Sequence, residues 1–134
     1  MTPEEAEEAW HEIRLLDNRA QQGEPLPLTP EVQALLRRTA PTVGIHEADM
    51  ALSSVESATN LLHAIRRRIT DGSHRLSDAL HQMYRLRDTG RLEEARQKMH
   101  DVLAVEVVPL YREIAETELA HLAMKGPAPK PRRR

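Results

Sequence analysis

Between residues 58 and 86 the chain reads Ala58-Thr59-Asn60-Leu61-Leu62-His63-Ala64-Ile65-Arg66-Arg67-Arg68-Ile69-Thr70-Asp71-Gly72-Ser73-His74-Arg75-Leu76-Ser77-Asp78-Ala79-Leu80-His81-Gln82-Met83-Tyr84-Arg85-Leu86. Ala58, Leu62, Ile65, Ile69, Gly72, Leu76, Ala79, Met83 and Leu86 step by alternating fours and threes, a heptad seam held over about four repeats. Asp71-Gly72-Ser73 looks locally like a turn, and a glycine inside a helix costs up to about 1 kcal/mol relative to alanine. Two helices separated by a turn would have no reason to share one phase, so the unbroken register predicts a single long helix, with a kink tolerated. Gly72 falls on the seam, where a missing side chain lets another helix come close.

Working outward, Asp88-Thr89-Gly90 stops this helix, with Gly90 suited to a left-handed cap. Leu92, Ala95, Met99, Val102 and Leu103 then restart an apolar stripe. Val105, Val107, Val108 and Pro109 are poor helix material, and Pro109 removes a backbone hydrogen bond, so a kink or short break is expected at Val107 or Val108. Leu110, Ile114, Ala115, Leu119 and Leu122 restore the helical period to Met124. Toward the N-terminus, Thr2-Pro3-Glu4 and Thr29-Pro30-Glu31 share one grammar: N-cap, proline in the first turn, acid at the positive end of the helix dipole. The first launches a helix with Ala6, Ala9, Trp10, Ile13, Leu16 and Ala20 on one face, ending near Gly23. The second launches a short helix carrying Val32, Leu35 and Leu36 and ended by Pro41 and Gly44. Gly23-Glu24-Pro25-Leu26-Pro27-Leu28 between them is extended, because each proline disfavours helix in its predecessor. A further short helix is expected from Glu47 to Ser53.

The fold predicted is all-α: one domain over residues 1–124, built on a long antiparallel hairpin of Val55 to Asp88 and Arg91 to Met124, with two or three shorter N-terminal helices covering it. Its expected core is Trp10, Ile13, Leu35, Leu62, Ile65, Ile69, Leu76, Met83, Leu86, Met99, Leu103 and Ile114. The remainder, Lys125 to Arg134, is a basic, Pro-rich stretch read as a disordered tail. Composition agrees. Of 134 residues, 40% are apolar and only 2% aromatic, which disfavours a β-sandwich or barrel.

The chain has no cysteine, which excludes disulfides, a thiol nucleophile and cysteine-ligated metal centres. No apolar run approaches a membrane span of about 18 residues and the first residues are acidic, so no membrane is expected and the location predicted is cytoplasmic. Ten acids stand against four bases in residues 1–50, and eleven against fifteen in residues 51–134. The front of the chain is acidic and the back basic.

Glu118-x-x-His121 has the spacing of a carboxylate-bridged di-iron ligand pair, but such a site needs a second copy, and Asp71 with His74 or Asp78 with His81 offer shorter side chains. Solvated helix surface is the simpler reading. His11-Glu12 and His46-Glu47 lack the second histidine of a zinc-protease motif. Ser73-His74 and Ser77-Asp78-His81 are neighbours on one helix, whereas catalytic triads are assembled from separate elements. There is no Gly-rich phosphate loop. Neither catalytic residues, metal ligands nor a cofactor are therefore predicted. Gly90-Arg91-Leu92-Glu93-Glu94-Ala95 resembles the turn and second helix of a tetratricopeptide unit, but a lone unit cannot bury its own face.

The function expected is a non-catalytic helical protein–protein interaction module, an adaptor or regulator that binds another protein. Its candidate partner-binding residues are Arg66, Arg67, Arg75, Arg87 and Arg91, since arginine is enriched at interfaces and suits bidentate pairing with acids. A solvated face is the plain alternative for them. The other functional alternative is a nucleic-acid-binding regulator using these arginines with Arg68, Arg85, Arg96 and the tail; against it, residues 1–124 are net acidic and no aromatics interleave the basic positions. Part of so long a seam could also pack on a second copy, giving a homodimer.

Several phrases together carry a family resemblance. Gly23-Glu24-Pro25-Leu26-Pro27-Leu28-Thr29, Ala64-Ile65-Arg66-Arg67-Arg68-Ile69, Gly72-Ser73-His74-Arg75-Leu76-Ser77, Leu86-Arg87-Asp88-Thr89-Gly90-Arg91-Leu92-Glu93-Glu94-Ala95-Arg96 and Asp101-Val102-Leu103-Ala104-Val105-Glu106-Val107-Val108-Pro109-Leu110-Tyr111-Arg112-Glu113 resemble the DUSAM domain family, small paralogous proteins of Myxococcus and its relatives. The resemblance spans Trp10 to Leu122. It implies a myxobacterial source and a family of unknown function, and it brings no site residues with it.

Overall fold

The computed structural model describes residues 2–125, and all of its regular elements are helices: α1 (Pro3–Gln21), α2 (Pro30–Thr39), a short 3-10 helix (Ala40–Val43), α3 (Ala48–Ala51), α4 (Val55–Asp88), α5 (Leu92–Val105) and α6 (Pro109–Lys125). The tail expected after Met124 lies outside the described residues, apart from Lys125 at the end of α6.

The starts of α1 and α2 are those the sequence spells. Thr2 closes a capping box with Glu5, its hydroxyl accepting from the Glu5 N–H at 3.1 Å while the Glu5 carboxylate accepts from the Thr2 N–H at 2.8 Å. That backbone bond is the chief reason the Glu5 carboxyl titrates below its ordinary 4.5. Thr29 caps α2 through the Val32 N–H, and Ser54 caps α4 through the Ser57 N–H. Helix α4 runs unbroken through Gly72, as its register requires. It ends at Asp88, and Gly90 in the cap beyond it adopts φ +81°; the Arg91 N–H reaches back to Leu86 O at 2.8 Å and the Gly90 N–H to Arg87 O at 3.0 Å. These are the two bonds of a Schellman cap.

Two compact units divide the chain, one up to Asp71 and one from Gly72 onward. In the first, α1, α2 and the opening part of α4 bury Ile13, Leu36, Val43, Leu62 and Ile65 completely, with Trp10, Leu26 and Leu35 nearly so. The Trp10 indole N–H donates to the Thr42 hydroxyl at 2.8 Å, which gives the chain's one tryptophan a polar anchor as well as an apolar seat.

In the second unit, Leu76, Met83, Ala95, Met99, Val102, Ala115 and Leu122 form the core, with Leu86, Leu103 and Ile114 packed against it half-buried. Here the structure departs from a two-armed hairpin. The expected interruption near Val107 is a full reversal, so the second arm is two helices side by side: the Arg96 guanidinium reaches Leu122 O at 3.2 Å, and that of Arg112 reaches Leu103 O at 2.7 Å. The cause is Glu106. Its Oε2 accepts the N–H groups of Val107 and Val108 at 3.1 and 3.0 Å, leaving the chain extended there, and Pro109 then opens a new helix. Gly72 explains how closely the helices meet. A Cβ at this position would lie 2.6 Å from Tyr111 Cδ2 and 2.9 Å from Glu106 Oε2, so the helix admitted at the bare position of the seam is the chain's own α6.

Candidate functional site

Helical spacing places the five candidate arginines on α4 and its C-terminal turn, and the structure puts them to different uses. Arg66 is drawn toward α1: its Nη1 donates to Arg14 O at 3.3 Å and Asn18 Oδ1 at 3.2 Å, and stands 3.7 Å from Asp17 Oδ2. Asp17 is only 4% exposed, and its Oδ1 is in hydrogen-bond contact with His63 Nδ1. A buried carboxylate between an imidazole and a guanidinium can act as a clamp joining α1 to α4. Arg68, also on α4, donates to Val43 O at 2.9 Å. Arg67, between these two, is exposed.

Arg75 serves the second unit as Arg66 serves the first. Its Nη1 donates to Glu106 Oε1 at 2.7 Å, and the Glu106 side chain is 1% exposed. Glu106 thus receives a guanidinium and two backbone N–H groups, the saturation a buried carboxylate needs. Arg112 completes the corner by donating to Glu106 O at 2.9 Å.

Arg91 is exposed, whereas Arg87 is half-buried, with its side chain 32% exposed. The Arg87 guanidinium carbon lies 4.9 Å from the centre of the Tyr84 ring, within cation–π range, and its Nε donates to Asp88 Oδ1 at 3.0 Å. Tyr84 is only partly covered, being 37% exposed, and its hydroxyl contacts Glu118 Oε2 at 3.4 Å. Burial of the ring, then the Glu118 charge, push its phenol above the ordinary 10.0. Arg91 pairs with Glu94, and that bond lowers the Glu94 carboxyl below its usual value.

Among the described residues, no three His, Asp or Glu side chains converge as a metal site, and no buried side-chain nitrogen or oxygen lacks a hydrogen-bond partner. His74, Asp78, His81 and His121 are exposed on their helices. No described helix is long and apolar enough to cross a membrane. The first unit also carries a cleft of about 220 Å³ between α1 and α2, with Leu15, Leu16, Val32 and Leu35 among its lining and Glu12, Arg19 and Glu31 around it.

Three of the groups that organise these clusters, Asp17, His63 and Glu106, are not among the candidates the sequence suggests. Glu106 carries a signal in retrospect: a lone acid inside Val105-Glu106-Val107-Val108-Pro109, where a helix must break, is placed to cap the next helix. Asp17 and His63 carry none, being separated by 46 positions in the chain.

Residues 8–122 match the family model described as "Protein of unknown function (DUF2379)". The chain belongs to that family. No curated protein and no solved structure matches it.

Proposed function

We propose that this member of the DUF2379 family is a non-catalytic protein-binding module, and that it presents the exposed end of α4 to an acidic surface of another protein. The observation that carries this reading is the Tyr84–Arg87 stack with Arg91 beyond it. Tyrosine and arginine dominate binding hot spots, because each offers large area with directional hydrogen bonding. The buried charges support a non-catalytic role: Asp17 and Glu106 are occupied in joining helices, the work of structural rather than reacting groups. In this reading Arg66 and Arg75 hold the fold, and Arg87 and Arg91 meet the partner. The DUSAM resemblance is taken as the same family under another name, and on that reading the protein is a small adaptor or regulator of a myxobacterial cytoplasm.

The test is affinity capture from the source organism with wild-type protein and with Tyr84→Ala, Arg87→Glu and Arg91→Glu combined. Loss of specific partners from the triple variant, with its helical circular dichroism unchanged, is the expected result. Capture of the same proteins by both refutes the assignment, and turnover of a metabolite by the purified protein refutes the non-catalytic reading. Nucleic-acid binding that collapses between about 50 and 200 mM salt would favour the other alternative.

A further inference from the structure

Along α1, Glu12, Leu15, Leu16 and Arg19 recur at i, i+3, i+4 and i+7 and therefore share one stripe. This stripe forms one wall of the cleft whose other wall is Val32 and Leu35 of α2. Leu15 is 44% exposed. Among the described residues the side chains of Glu12 and Arg19 take part in no ion pair or hydrogen bond, although other charged residues of the same helix do. An exposed leucine at the lip of an apolar cleft, flanked on its own stripe by one unused acid and one unused base and faced by a second acid, Glu31, on the α2 wall, has the composition of an interface centre with its rim.

The order of charges identifies the occupant. Read from Glu12 to Arg19 the stripe is acid, leucine, leucine, base; a second α1 lying antiparallel across it presents base, leucine, leucine, acid. We propose that the α1–α2 cleft is a two-fold interface with a second copy of this chain. Its axis passes between Leu15 and Leu16, where each Leu15 enters the other copy's cleft against Val32. At about 1.5 Å rise per residue, Glu12 and Arg19 lie about 5 Å to either side of that midpoint, so Glu12 comes level with the partner's Arg19, and the reverse pair arises by symmetry. The antiparallel sense also keeps the two acidic segments containing Glu4, Glu7 and Glu8 at opposite ends of the pair, whereas a parallel arrangement sets them side by side. Two helices per copy make a modest footprint beside the roughly 800 Å² per partner of a standard interface, so the dimer is concentration-dependent. The inference is independent of the Tyr84–Arg87 reading, since it uses only α1 and α2.

Sedimentation equilibrium of the full chain from micromolar to millimolar concentration tests it. Wild type should pass from the mass of one chain toward that of two. Leu15→Glu should remain at one. Glu12→Arg sets arginine against arginine and should weaken association about ten-fold or more, a loss of about 1.4 kcal/mol or greater. Glu12→Arg combined with Arg19→Glu restores opposite charges across the axis and should recover dimerisation. Unchanged helical circular dichroism shows that each variant is folded. A wild type that stays at one chain throughout overturns the proposal. So does a dimer indifferent to Glu12→Arg, or a charge-swapped variant no better than the single one.

Discussion

Replacing Gly72 by alanine pits helix propensity against packing at one atom. In an isolated helix the change is favourable by up to about 1 kcal/mol. Here the new Cβ would lie 2.6 Å from Tyr111 Cδ2, 2.9 Å from Tyr111 Cε2 and 2.9 Å from Glu106 Oε2, where non-bonded carbons optimally sit about 3.5–4.0 Å apart. Tyr111 would have to retreat by about 1 Å, and Glu106 is poorly free to move with it, being bonded to Arg75, Val107 and Val108. Overpacking of this kind typically costs about 1–3 kcal/mol, so with the propensity gain of up to about 1 kcal/mol subtracted the net expectation is a loss of up to about 2 kcal/mol. Urea denaturation monitored by circular dichroism at the helical band measures it. A double-mutant cycle identifies the cause: in a Tyr111→Ala background the same Gly72→Ala change should cost markedly less, because its nearest obstacle is gone. A Gly72→Ala protein stabilised by the full propensity gain of about 1 kcal/mol, or a net change unaltered by Tyr111→Ala, would refute the close-contact argument.

Glu106→Ala removes the acceptor of a guanidinium and of two backbone N–H groups at once; it should cost about 2–4 kcal/mol in the same urea assay, and a shift below about 0.5 kcal/mol would mean that water replaces the carboxylate freely. For Tyr84, burial and the Glu118 charge raise the phenol above 10.0, so the neutral form is favoured in the folded state. The stability it contributes is present below pH 10 and is lost as pH rises through the folded value. Absorbance titration of tyrosinate in a Tyr111→Phe background should show a midpoint above the ordinary one; Glu118→Gln should lower it only in part, since burial is the larger cause, and a complete return to the ordinary value would contradict that order of causes.

Much of the helix pattern is legible in the sequence because its determinants are local. Thr2 and Thr29 announce starts, Gly90 announces a stop, and the phase shared across Gly72 argues for one helix where the local Asp71-Gly72-Ser73 signal argues for two. The reversal after Val105 is less legible. Valines and a proline signal an interruption, but whether a helix bends or turns back depends on what satisfies the freed N–H groups, and that is the side chain of Glu106 anchored by Arg75 from another helix. Ile69, Leu86, Leu103 and Ile114 show a related limit: periodicity assigns a face, while the depth of burial on that face depends on what covers it. These four are half-buried where Ile65 and Met99 are fully so.

The arginines show why a candidate site is harder to read than a core. An apolar residue has one favourable destination, whereas an arginine has several: a carboxylate on another helix, a backbone carbonyl at a helix end, an aromatic face, water, or a partner. Arg66, Arg68, Arg75 and Arg87 take the first three among them, and nothing in the i, i+3 and i+4 spacing of α4 separates them, because what decides each case lies elsewhere in the chain. Asp17 fixes Arg66 and Glu106 fixes Arg75, and both acids are buried, so either arginine is costly to redirect to a partner: releasing it would leave a carboxylate short of a donor in a poorly solvated place. Arg87 and Arg91 pair with exposed acids next to them in the chain, Asp88 and Glu94, where solvent screening leaves an ion pair contributing little. Their exchange onto another protein's carboxylates therefore costs little, which is the energetic reason for proposing the end of α4 as an interaction surface in preference to Arg66 and Arg75.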